Sequence, residues 1–232
     1  PRRNQLSIPE IAAQEFVKLA YKYPESEYLA TAMARLGTHF QRKAVAYERE
    51  AAPLLAKAEA DPDNKDPDNK DPDNKDPDNK DPDNKDPDNK DAEHQGTALK
   101  KLSHIEYVKA AQIFERLQTR FPDHELAGKA GLRAGQIYMR ADRFNDAIKA
   151  LMNIVNDEAY NGPTLRSEAM YWAARCHESL NGQLQAYALY KRITYDFPES
   201  KWAAYARGQL STERLLRLDR DLELKRLQEG QE

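Results

Sequence analysis

A thiol and an imidazole stand side by side at Cys176-His177, and the chain has no other cysteine. A nucleophile and its base must converge on one hydrogen bond. Neighbours in sequence on a helix point in different directions, so this pair does not make a catalytic dyad. The reading that fits a helix better is a small buried Cys176 beside His177 in an aromatic slot. His39, His94, His104 and His124 are scattered, with neither an HExxH spacing nor a Cys/His cluster of zinc type. Asp219 and Asp221 alternate with Arg and Leu and read as a solvated helix face. The nine glycines form no phosphate-cradling loop. The expectation is a non-enzymatic chain with no catalytic residues, no resident metal and no cofactor.

One further pattern has the look of ligand chemistry. From Asp61 to Lys90 the sequence repeats Asp-Pro-Asp-Asn-Lys six times. Asp-x-Asp-Asn resembles the start of a calcium-binding EF-hand loop, but that loop needs Gly at its sixth position and a bidentate Glu at its twelfth. Neither is present, and the period is five. Three readings stay open: a solvated expansion, weak multi-site binding of divalent cations, and a docking epitope. With no apolar side chain except proline rings, residues 61–91 are expected to be a disordered low-complexity insertion. Each unit carries one net negative charge. The six copies therefore hold −6 of a chain whose net charge is −3, and the rest is close to balanced at +3. Such a chain is not built for nucleic acid or for an anionic membrane surface.

Residues that bind must be held by elements, and those here are helices. Ala, Leu, Glu, Lys, Arg and Gln dominate outside the Asp-rich run, and no stretch alternates over a strand's length. An all-α fold follows. Nothing approaches the roughly 18 consecutive apolar residues of a membrane-spanning helix. Pro1-Arg2-Arg3-Asn4 has no initiator Met and no apolar run behind it. The sequence is therefore expected to be a trimmed or mature fragment, with membrane association possible through a missing N-terminal lipid anchor.

Three aromatic-proline pairs punctuate the chain: Tyr23-Pro24, Phe121-Pro122 and Phe197-Pro198. Four residues after each proline comes a large apolar residue, Tyr28, Leu126 or Trp202. Small residues follow at six and eight, and Gly37, Gly135 or Ser211 at thirteen. Upstream, alanine stands twelve before (Ala12, Ala110, Ala186), an aromatic eight before (Phe16, Phe114, Tyr190) and an aliphatic five before (Leu19, Leu117, Ile193). Small residues let antiparallel helices approach, the aromatic fills the groove beside them, and proline ends the second helix. Each such hairpin has an apolar face that it can bury only against a neighbour.

This pattern resembles the tetratricopeptide repeat, with Gly135, Tyr138, Ala147, Leu151 and Ile154 at its signature positions in the clearest unit, and Ala174, His177, Ala186, Tyr190, Ile193 and Pro198 in the next. The resemblance implies a right-handed superhelical solenoid over residues 1–232. Its parts would be a partial repeat (8–24), a repeat interrupted by the insertion (27–122), repeats at 124–157 and 164–198, and a capping helix at 201–228. The second helix of the interrupted repeat is expected from about Thr97, and Pro53 is expected to kink or restart the first. The two overlong helices would project as an arm.

Family members bind partners on the concave surface lined by the first helix of each pair. On this chain the matching positions are Thr31, Arg35, Thr38 and Arg42, then Lys129, Arg133, Gln136 and Arg140, then Tyr171, Arg175 and Glu178. The arginines suit an acidic segment or a C-terminal carboxylate, unless neighbouring carboxylates already pair with them. The wording Phe197-Pro198-Glu199-Ser200-x-Trp202 is similar to bacterial envelope members, the BamD-like lipoproteins and the YbgF/CpoB-like group. That resemblance implies a scaffold in the periplasm or at the outer membrane, where it would organise an envelope complex. A cytosolic adaptor and a cation-responsive module working through the Asp-rich run are the alternatives.

Overall fold

The computed structural model describes residues 8–23, 26, 28–59 and 87–229. Among the described residues the regular elements are all helical. They are α1 (Ile8–Lys22), α2 (Tyr28–Glu59), α3 (Pro87–Arg120), α4 (Ala127–Arg140), α5 (Phe144–Asn156), α6 (Pro163–Ser179), α7 (Gln183–Asp196), α8 (Lys201–Leu210) and α9 (Glu213–Glu229), with a 3₁₀ turn at Glu158–Tyr160. Packing divides the chain into two compact units. One comprises residues 1–40 and 107–232, the other residues 41–106.

In the larger unit the helices pack in chain order, α4 on α5, α5 on α6, α6 on α7 and α7 on α8. Small residues on α4 make this possible. A Cβ at Gly135 would collide with Leu151 of α5, and one at Gly128 would come within 2.6 Å of Leu165 of α6. The offsets that recur in sequence are core positions. Ala110, Leu117, Ala186, Tyr190 and Ile193 are fully buried, and Phe114 nearly so. Phe114 lies over Gly37, which joins the first half of α2 to the second half of α3.

The turns also repeat. After α4 the chain reverses through Asp142, at φ 55°, and after α6 through Asn181, at φ 60°. Each closes the preceding helix with a backbone bond that spans one residue more than the ordinary ladder. Arg143 N–H donates to Tyr138 at 2.9 Å, and Gly182 N–H donates to His177 at 2.7 Å. Asn and Asp tolerate this left-handed conformation better than other side chains. The second helices end where the aromatic-proline pairs require, α3 at Arg120 and α7 at Asp196. Ser200 then caps α8 by accepting the Ala203 N–H at 3.1 Å.

In the smaller unit, residues 41–59 and 87–106 pack antiparallel. Gly96 faces Leu54 and Leu55 near one end, and Lys43 Nζ stands 3.8 Å from Glu106 Oε1 at the other. Ala44, Ala51 and Ala92 are buried in this unit.

Three expectations change. α3 begins at Pro87, not near Thr97, so the last Asp-rich unit contributes Pro87–Lys90 to a helix. Proline fits a first helical turn, where its missing N–H would be unpaired anyway. The rest of the expected disordered insertion, residues 61–86, lies outside the described residues. α2 does not restart at Pro53, which sits inside the helix; one missing backbone bond is tolerated where Leu54 and Leu55 pack against Gly96. The single helix expected over 201–228 is two, broken at Ser211 and Thr212, whose hydroxyls turn back to the carbonyls of Gly208 and Gln209 at 2.7 and 2.8 Å.

Candidate partner-binding face

In the larger unit the first helices of successive pairs touch one another: α4 packs on α6, and α6 on α8. The second helices, α5 and α7, have at most marginal contact. A stack that is tighter on one side curves towards it, so α4, α6 and α8 line the inner, concave layer. A hydrogen bond ties this layer together. Gln136 Nε2 of α4 donates to Glu168 Oε1 of α6 at 3.2 Å, and Trp172 Nε1 donates to the same oxygen at 3.4 Å.

The candidate residues divide into two groups. Lys129 and Arg133 are exposed on α4, and Thr31 and Arg35 on α2. Arg42, also exposed, belongs to the smaller unit. The others make contacts within the fold. Thr38 Oγ1 donates back to the Ala34 carbonyl at 2.8 Å. Arg140 donates to the hydroxyl of buried Tyr107 at 3.0 Å, with its guanidinium 5.9 Å from that ring. Arg175 pairs with Glu178 at 2.9 Å, and Glu178 also accepts the Tyr190 hydroxyl at 3.1 Å. Tyr171 is buried, and its hydrogen bond to Arg175 raises the guanidinium's pKa further above neutrality. Burial, reinforced by Glu178, pushes Tyr190 well above the ordinary phenol range.

Charge is distributed unevenly between the layers. The helices α4, α6 and α8 carry Lys129, Arg133, Arg140, Arg166, Arg175, Lys201 and Arg207 against two carboxylates, Glu168 and Glu178. α4 and α8 have no carboxylate at all. On α5 and α7 three cations face two carboxylates, Asp146 and Asp196.

Residues 168–200 match the tetratricopeptide repeat. The matched segment starts within α6, passes through the Asn181 turn and α7, and ends beyond Phe197-Pro198. No curated protein and no solved structure matches the chain. The repeat match and the ordered helix-on-helix packing together give an all-α tetratricopeptide-like arrangement, a scaffold type consistent with protein–protein interaction.

The thiol at Cys176 is fully buried, and burial pushes its pKa up to about 12, so the thiolate is scarce at neutral pH. Burial also lowers the pKa of His177. Among the described residues no three His, Cys, Asp or Glu side chains come together as a metal site.

Sequence reasoning missed two features. One is Glu168, which links two repeats. The other is an aromatic cluster joining α6, α7 and α8: the Tyr171 ring lies 5.8 Å from Tyr190, 5.1 Å from Trp202 and 6.0 Å from Tyr205. Trp202 was marked by its place after Pro198. Tyr205 carried a weaker signal, standing seven residues after its proline as Lys129 does.

Proposed function

We infer that this chain is a non-enzymatic scaffold whose concave layer captures an acidic segment of a protein partner. The observation that carries this reading is the charge of the layer, seven cations against two carboxylates on α4, α6 and α8. Arg175 has an internal partner in Glu178 and Arg140 donates to Tyr107, so the exposed Lys129 is the side chain best placed to meet a ligand carboxylate, with exposed Arg133 one turn further along α4. A C-terminal carboxylate is one form that ligand can take. The interrupted hairpin belongs to the same proposal, supported by the antiparallel packing of residues 41–59 and 87–106.

The cellular setting is a proposal too, and rests on the Phe197-to-Trp202 wording. It is a bacterial cell envelope, with the scaffold in the periplasm or held at the outer membrane by a lipid anchor, assisting assembly of an envelope complex. Fractionation of cells expressing the full gene tests it, and recovery in the cytosol would contradict it. Binding is tested by fluorescence anisotropy with a Glu-rich peptide and its Gln-substituted counterpart. The Glu-rich peptide should bind and weaken steeply with added salt. Equal affinity for the two peptides would remove the acidic-segment reading.

A further inference from the structure

Glycine in a helix is unfavourable unless something needs the space of its missing side chain. Among the described residues six glycines lie in helices, and five are filled. A Cβ at Gly37, Gly96, Gly128, Gly131 or Gly135 would run into Phe114, Leu55, Leu165, Gln118 or Leu151, in each case a large side chain from a different helix. In this chain, then, a helical glycine is a seat for a neighbouring helix's side chain. Gly208 in α8 is the exception: among the described residues nothing lies within 4 Å of its Cβ position.

What surrounds this seat suits a ligand. Tyr205, one turn earlier on α8, is 55% exposed while its ring packs 5.5 Å from Trp202. Trp202 is 7% exposed, and its indole N–H has no acceptor among the described residues. The helix bears Lys201 and Arg207 and no carboxylate. By its distance from proline, Tyr205 holds the place in α8 that exposed Lys129 holds in α4.

We propose that Gly208 and Tyr205 form a docking seat for an acidic amphipathic α-helix of a partner protein, one large apolar side chain entering over Gly208 while carboxylates on its flanks meet Lys201 and Arg207. The proposal rests on the acidic-segment reading above and specifies the ligand's conformation and its anchor. Glycine admits the close approach, and the neighbouring ring supplies apolar surface, the usual make-up of an interface hot spot.

Two synthetic probes test it on the whole chain. One is a stapled helical peptide of about 20 residues with Leu along one face and Glu elsewhere. The other is a Glu-Pro peptide of equal charge, which stays extended. The helical probe should bind saturably and shift the amide signals of Tyr205 and Gly208. Gly208→Leu should weaken it about tenfold or more without lowering the melting temperature, because Leu is the better helix former. Tyr205→Ala should also weaken it, by removing the ring that forms the other half of the seat. An unchanged Kd in Gly208→Leu, or shifts confined to helices other than α8, overturns the seat. Equal binding of both peptides keeps the acidic-segment reading and removes the helical one. Failure of both peptides to bind removes both.

Discussion

Pairs of small and large side chains hold this solenoid together. Leu151 has no exposed surface and occupies the space left by Gly135, so neither residue can change alone. Leu151→Ala should cost about 3 kcal/mol, the transfer of a buried leucine plus the cavity it leaves. Urea denaturation measures this, and a loss below about 1 kcal/mol would mean that the interface collapses to fill the space. Such pairs were legible in sequence because size is written in residue type: Ala110, Phe114 and Leu117 recur as Ala186, Tyr190 and Ile193, and all are core. The polar links were not legible. Glu168 accepts from Gln136 across a helix interface, and nothing in its spacing announces that contact.

Helix ends obeyed local chemistry, and helix continuity did not. Aromatic-proline pairs and the Asn181 turn stop helices where expected. Pro53 does not, because tertiary packing on Gly96 outweighs one lost backbone bond. The break between α8 and α9 was illegible, since Ser211 and Thr212 interrupt a Leu-rich pattern without glycine or proline. Packing on α7 holds α9 beyond that break. Leu215 is buried, and Asp219 accepts the Tyr187 hydroxyl and stands 3.5 Å from Lys191 Nζ. The Tyr187 hydrogen bond is the first cause of a depressed Asp219 pKa, followed by the Lys191 charge. A depressed carboxylate contributes stability that is complete above its unfolded pKa and is lost as pH falls through its folded one. The carboxyl carbon of Asp219 should therefore titrate below the usual value of about 3.9, and Tyr187→Phe should return it towards that value. A midpoint at or above the usual value in the unsubstituted chain would separate α9 from this anchor.

At the scale of the whole molecule, the sequence points to a helical repeat long before it points to a ligand. Repetition constrains a core at many places at once, whereas a binding face is held by residues free to vary. Of the groove positions named from the repeat register, Lys129 and Arg133 stand exposed, while Tyr171 is buried and Arg140 supports Tyr107. Register alone does not say which side chains on a helix are buried or engaged. The charge contrast between the layers is what gives the acidic-segment reading its weight. It is tested most directly by reversing two charges on each layer, Lys129→Glu with Arg133→Glu on α4 and Lys191→Glu with Arg192→Glu on α7. Affinity for the Glu-rich peptide is then measured by anisotropy, with circular dichroism as the control for fold. The α4 pair should weaken binding by about 10²-fold or more at unchanged helicity, and the α7 pair should leave it within about threefold. Equal losses from both pairs, or full binding retained by the α4 pair, would contradict capture on the concave layer.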